Sequence, residues 1–269
     1  MANRIENKFK ELRAVKKKAF IPFITTGYPD LKVTEDLLLG LPEAGADVVE
    51  LGVPFSDPLA DGPTIQDASY HALERGVNLE KILALVTRVR KRTQVPIALM
   101  SYYNPIYHFG EKKFLAQVQK AGVDGLIIPD LPPEEAATLI KEARRHHVAT
   151  VFFIAPTTTK QRMKRIVNKS SGFIYYVSVT GVTGARQSLP GNFVEKIKEV
   201  KTLTEKPICV GFGISTAKQV RLVSKVADGV IVGSAIMKQL MTFNEKKDQV
   251  AKTLQFCRSL AKGVRSSGK

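Results

Sequence analysis

Short, nearly continuous apolar runs alternate along the chain with longer stretches in which apolar positions recur every three or four residues. The runs Phe20-Ile21-Pro22-Phe23-Ile24-Thr25, Asp47-Val48-Val49-Glu50-Leu51, Ile97-Ala98-Leu99-Met100-Ser101 and Gly125-Leu126-Ile127-Ile128 are read as strands one to four. Ala149-Thr150-Val151-Phe152-Phe153-Ile154, Phe173-Ile174-Tyr175-Tyr176-Val177, Pro207-Ile208-Cys209-Val210 and Gly229-Val230-Ile231-Val232 are read as strands five to eight. Between and after them the spacing predicts helices near 33–44, 65–74, 79–92, 111–121, 133–146, 159–169, 191–202, 216–225, 234–240 and 244–262. A further helix is expected over 3–17, with Ile5, Phe9, Leu12 and Val15 on one face. Pro132-Pro133-Glu134-Glu135 reads as a helix start, with proline in the first turn.

Strands apolar on both faces and separated by helices belong to a parallel sheet covered by helices. Eight such units in 269 residues predict an α/β fold, a single-domain (β/α)8 TIM barrel. The N-terminal helix and a short helix after strand eight are extras. The turn Ala44-Gly45-Ala46-Asp47 recurs as Ala121-Gly122-Val123-Asp124 and Val226-Ala227-Asp228-Gly229, each time feeding a strand. A doubly wound open sheet is the alternative, but no glycine-rich dinucleotide turn follows strand one. Residues 1–269 are taken as one domain, with 263–269 as a flexible tail.

Composition narrows the partners. Cys209 and Cys257 stand far apart in no metal or redox spacing, and Cys209 lies in an apolar run, so buried thiols and a reducing cytoplasm are expected. The segment from Met1 to Lys18 has no signal-peptide core, and no apolar run approaches the roughly 18 residues of a membrane span. The formal net charge is +16. The lysines and arginines are spread over helix-like segments without an aromatic–basic or zinc-finger pattern, which points to solvated faces rather than nucleic acid. His71, His108, His146 and His147 form no ligand spacing, and no metal is expected.

Candidate chemistry concentrates where strand two meets its loop. Glu50 shares a strand face with Val48, and the loop adds Asp57 and Asp61. Three carboxylates at one junction are candidates for acid–base work. The competing reading makes Asp57 and Asp61 turn formers, since each precedes Pro or Gly. In a barrel, chemistry sits at the C-terminal ends of the strands. The loop after strand six, 178–186, has two glycines flanking Val182-Thr183, as suits a lid. Gly211-Phe212-Gly213-Ile214-Ser215 follows strand seven, and Gly233-Ser234-Ala235-Ile236 opens the extra helix. Unpaired N–H groups and a helix dipole there suit a phosphate. Phe212 is either core or an apolar wall beside that phosphate.

The stretch from Glu50 through Leu51-Gly52-Val53-Pro54-Phe55-Ser56-Asp57-Pro58-Leu59-Ala60 to Asp61-Gly62-Pro63 resembles the signature of the tryptophan synthase alpha subunit family. The resemblance continues through Tyr102-Tyr103-Asn104-Pro105-Ile106, Pro129-Asp130-Leu131-Pro132, Gly181-Val182-Thr183-Gly184 and Gly211-Phe212-Gly213-Ile214-Ser215. It implies retro-aldol cleavage of indole-3-glycerol phosphate to indole and glyceraldehyde 3-phosphate. Glu50 would be the general acid/base, Asp61 the acceptor for the indole N–H, and Tyr175 a support for Glu50. Thr183 would close onto Asp61; Gly184, Gly213, Gly233 and Ser234 would hold the phosphate, and Phe23 and Phe212 would sandwich the indole.

The resemblance also implies no cofactor in this chain. It implies a pyridoxal-phosphate-dependent beta subunit as partner, in an αββα complex that receives the indole. Pro54, Phe55, Ser56, Asp57, Pro58, Asn104, Pro105, Asp130 and Pro132 would face that partner. A stand-alone lyase, a catalytically silent activator of the beta subunit and an isomerase-type phosphate barrel are the alternatives. The presence of Glu50, Asp61 and Tyr175 argues against the second, and the Glu50-to-Pro63 stretch against the third.

Overall fold

A computed structural model describes residues 3–177, 193–211 and 213–265, and among these it shows nine strands and twelve helices. Helix α1 (Arg4–Ala14) precedes β1 (Ala19–Thr25), α2 (Leu31–Gly40), β2 (Val49–Gly52), α3 (Pro63–Glu74) and α4 (Leu79–Val89). Next come β3 (Ile97–Met100), α5 (Tyr103–Phe109), α6 (Glu111–Ala121), β4 (Gly125–Ile127) and α7 (Ala137–Arg145). They are followed by β5 (Ala149–Val151), β6 (Phe153–Ile154), α8 (Lys160–Lys169), β7 (Ile174–Val177) and α9 (Phe193–Lys201). The last are β8 (Ile208–Gly211), α10 (Ala217–Ser224), β9 (Gly229–Val232), α11 (Ser234–Met241) and α12 (Lys246–Arg265).

All pairings are parallel, in the order β5-β4-β3-β2-β1-β9-β8-β7-β6. The ninth strand is the expected strand five in two pieces. β5 pairs with β4 and β6 with β7, and only Phe152 lies between them. The Phe152 carbonyl accepts the Tyr175 N–H at 3.1 Å, so one stave changes neighbours and closes an eight-stave barrel. The strands are buried on both faces, as a sheet lined inside and covered by helices requires.

The recurring Gly–Asp turns have a common structural purpose. The Asp47 carboxylate accepts the Phe20 N–H at 2.9 Å, Asp124 accepts the Ile97 N–H at 2.9 Å, and Asp228 accepts the Ile208 N–H at 3.1 Å. Each aspartate enters its own strand and reaches back to the first N–H groups of the preceding one. Asp124 also takes Arg90 at 2.7 Å and Arg4 at 2.9 Å, joining α1 and α4 to the barrel floor. Gly45 and Gly122 have φ of +99° and +89°, left-handed values that favour glycine at these turns.

Three of the expected helix ends move, and one helix is new. Helix α1 stops at Ala14 and the chain reverses through Lys16, which has φ +53°. Helix α7 begins at Ala137, not 133: Pro133 disfavours helical geometry at Pro132, and 132–135 form a turn with Glu135 N–H on the Pro132 carbonyl at 3.0 Å. Helix α5 was not expected. Its first N–H, from Tyr103, is received by both Asp130 carboxylate oxygens at 2.9 and 3.1 Å, a cap that comes from the β4 loop and cannot be read locally. The tail expected from Gly263 is helical to Arg265. A methyl at Gly263 would approach the Ala217 carbonyl to 2.8 Å, so this glycine allows α12 to pack closely on α10.

Candidate active site

The register places Glu50 of β2 level with Phe23 of β1 and Ala98 of β3, and small residues, Gly125 and Ala149, continue that level. The Glu50 side chain points inward and is only 1% exposed. Neither carboxylate oxygen has a hydrogen-bond partner among the described residues. A buried anion without partners is strongly disfavoured. Burial, and secondarily the charge on Asp61, therefore push the Glu50 carboxyl up to about 8.

Asp61 closes the loop after β2, just before Gly62 and Pro63 open α3. Its Oδ2 accepts the Tyr102 hydroxyl at 3.0 Å, while its backbone carbonyl accepts Gln66 Nε2 at 2.8 Å. Burial raises Asp61 to about 6, and the Tyr102 hydrogen bond works the other way. Of the two acids Asp61 therefore ionises first, and its charge helps keep the proton on Glu50.

Tyr175 on β7 is buried, and its ring packs on Phe153 at 4.7 Å between centroids. A methyl at Gly211 would lie 2.5 Å from its hydroxyl, so glycine is what leaves room for the phenol. Burial, then Glu50 and Asp61, raise the Tyr175 phenol well above its ordinary value, keeping it neutral.

One cavity joins these groups. Glu50, Asp61 and Tyr175 line one end, with Phe23 and Met100 as apolar walls. The Phe23 ring is held over two glycines: a methyl at Gly52 would meet it at 2.5 Å and one at Gly233 at 3.3 Å. At the other end lie Gly213, Ile214 and Ser215 after β8, and Gly233, Ser234 and Ala235 at the start of α11. Gly213 has φ +78°. A helix N-terminus has unpaired N–H groups and a positive dipole end, which favour an anion. The arrangement can move a proton at an aromatic ring whose substituent carries a phosphate.

The structure thus gathers Glu50, Asp61, Tyr175, Phe23, Gly213, Gly233 and Ser234 around one space. The expected roles of Thr183 and Gly184, the 178–186 lid and the Phe212 side chain lie outside the described residues. Asp57 does not join the other two acids: it is exposed and receives the Ser56 hydroxyl. Pro54 is buried, Pro58, Pro105 and Pro132 are half-buried, and Asn104 and Asp130 are exposed. Phe55 stacks on Tyr102 at 5.1 Å.

Tyr102 and Lys238 were missed as site residues. Tyr102 stands directly after strand three inside a quoted motif, which was the available signal. Lys238 has no sequence signal beyond its four-residue spacing from Ser234. Leu59, within the loop from Pro54 to Ala60 expected to face a partner, is 84% exposed. Among the described residues no group of His, Cys, Asp and Glu could hold a metal, and no helix is long and apolar enough to cross a membrane.

A family model described as tryptophan synthase alpha chain matches residues 9–265. A tryptophan synthase alpha chain from Geotalea daltonii is 50% identical over 244 residues, covering 91% of this chain and 92% of that one. One from Picosynechococcus is 48% identical over 261 residues, covering 97% and 98%. A crystal structure of the alpha chain from Legionella pneumophila superposes with a TM-score of 0.92 at 35% identity, covering 100% of both chains.

Proposed function

This chain belongs to the tryptophan synthase alpha chain family, and we propose how its residues divide the work of that family's reaction. It is a lyase that cleaves indole-3-glycerol phosphate to indole and glyceraldehyde 3-phosphate. The observation that carries the assignment of roles is the pairing of Glu50 and Asp61 in one buried cavity, where burial pushes Glu50 up to about 8 and Asp61 only to about 6.

Protonated Glu50 gives its proton to indole C3, and positive charge moves onto the ring nitrogen. Ionised Asp61 accepts a hydrogen bond from the indole N–H and stabilises that charge. Glu50, now a carboxylate, takes the proton from the glycerol hydroxyl beside the scissile bond. The oxygen lone pair forms the aldehyde, the carbon–carbon bond breaks, and its electrons return to the indole ring. Glu50 ends as it began. Tyr175 stays neutral and limits the space around Glu50. Phe23 faces the indole, and Gly213, Gly233 and Ser234 receive the phosphate.

The family carries no cofactor of its own, and membership implies a beta subunit as partner. The proposal extends to a cytoplasmic αββα complex in which the beta subunit, carrying pyridoxal phosphate, takes the indole. The rim after β2, with exposed Ser56, Asp57 and Leu59, and the neighbouring Asn104 and Asp130 are the surface offered to it.

Indole release from indole-3-glycerol phosphate, measured with and without a beta subunit, tests the reading. Wild type should release indole, faster with the partner, and Glu50→Gln should lose the activity in both settings. An active Glu50→Gln enzyme would remove Glu50 from the role given to it. A rate indifferent to the beta subunit would instead mark a stand-alone lyase.

A further inference from the structure

We propose that Lys238 is a specificity-determining residue, supplying the positive charge that selects a phosphomonoester dianion at the α11 end of the cavity. The proposal rests on the reading that the substrate phosphate binds there.

Ser234 opens α11, and Lys238 follows four residues later on the same helix face. Side chains on a helix tilt toward its N-terminus, so the long lysine side chain runs back toward Ser234. It lines the same cavity as Gly213, Gly233 and Ser234, and as the buried, unpartnered Glu50. Among the described lining residues Lys238 is the one cation, against the two acids Glu50 and Asp61.

The charge balance requires more than the backbone gives. A helix N-terminus contributes about half a unit of positive charge, whereas a phosphate monoester brings nearly two negative charges into a cavity that already holds ionised Asp61. Lys246, at the start of α12, is committed to Asp30 at 2.6 Å and does not line the cavity. Among the described residues no ion pair includes Lys238, and its charge is available to the cavity. Being exposed, it can be replaced without opening the core.

Steady-state cleavage by the complex with its beta subunit tests this, using inorganic phosphate as the competing probe. Lys238→Met should raise KM for indole-3-glycerol phosphate about five- to tenfold with kcat little changed. It should weaken inhibition by inorganic phosphate in the same proportion and flatten the salt dependence of kcat/KM, and Lys238→Arg should restore all three. Ser234→Asp, which puts a carboxylate at the helix N-terminus, is the companion variant. If it raises KM while Lys238→Met leaves KM and phosphate inhibition unchanged, the lysine proposal is overturned and the phosphate site stands. If neither variant changes KM and inorganic phosphate does not compete in wild type, the phosphate site itself is misplaced, and the lysine proposal falls with it.

Discussion

The Tyr102 hydroxyl donates to Asp61 Oδ2 at 3.0 Å while accepting the Ala60 N–H at 2.9 Å. One phenol therefore fixes both the backbone and the carboxylate at the end of the loop after β2. Phe55 stacks on the same ring, so the loop after β2 and the Asp61 carboxylate share a support. Tyr102→Phe removes a hydrogen bond to the ionised carboxylate, and Asp61 should rise from about 6. The acid limb of the kcat/KM profile should move to higher pH, and activity at pH 6 should fall about three- to tenfold with partial recovery at pH 8. An unmoved acid limb would sever Tyr102 from the tuning of Asp61.

The working pH window follows from the same two acids. On the proposed roles, cleavage needs Asp61 ionised, above about 6, and Glu50 protonated, below about 8. A bell-shaped profile between those limits is expected, with apparent values belonging to the pair. Asp61→Asn should remove the acid limb along with most of the activity, about 100-fold or more. A profile flat from pH 5 to 9 would contradict both assignments.

Glu50 should also be a source of instability. Its carboxyl is raised in the folded chain from an ordinary value near 4.5 to about 8, so the folded state holds the proton more tightly than the unfolded state. The contribution of Glu50 to stability is then greatest below the ordinary value and falls as pH rises through this interval, levelling above 8. Glu50→Gln removes this contribution and leaves that of Asp61. Denaturant unfolding of the two proteins at pH 5 and pH 8 should show Glu50→Gln gaining on wild type by about 2–4 kcal/mol over that range. Parallel pH dependence in the two proteins would show that Glu50 does not titrate abnormally.

The floor of the barrel should respond in the opposite way. Asp124→Ala leaves Arg90, whose side chain is 9% exposed, without its carboxylate, and leaves the Ile97 N–H unmatched. A loss of about 3 kcal/mol in unfolding free energy is expected, with kcat near wild type once the variant is folded. A selective loss of kcat at undiminished stability would place Asp124 in the wrong half of the molecule.

Gly211→Ala separates packing from chemistry at the other face. The new methyl would meet the Tyr175 hydroxyl at 2.5 Å, and the ring must move away from Glu50's neighbourhood. Cleavage should fall about tenfold or more, with a stability cost of about 1–3 kcal/mol. The methyl would also lie 2.8 and 2.9 Å from two carbons of the Tyr175 ring, so Gly211→Ala should cost markedly less stability in a Tyr175→Leu background than in wild type; an equal cost in both would show that this ring is not what the glycine accommodates.

The barrel was legible because each stave is apolar on both faces and three of the turns that feed strands repeat the same small-residue and Asp pattern. Glu50 stood out as an acid in such a stave, and the long loop motif drew Asp61 toward it. What local pattern could not show was made by distant partners. Helix α5 is capped by Asp130, strand five breaks where its pairing passes from β4 to β7, and α12 continues through Gly263 because α10 lies against it. Tyr102 lay in plain view within a motif, yet only the folded loop shows that its hydroxyl reaches Asp61. Asp57 was grouped with the other acids by proximity in sequence, and the loop turns it outward.

Strand β1 is held between β2 and β9, pairing Phe23 with Glu50 on one side and Ala19 with Gly229 on the other. On the ribosome the first of these partners emerges early and the second only after most of the chain has been made. The edge of β1 that pairs with β9 must therefore wait, unpaired, until residues 229–232 arrive. Vectorial synthesis places Glu50 and Asp61 in the chain long before Ser234, and the cavity that joins them is complete only once β9 and the start of α11 have been made.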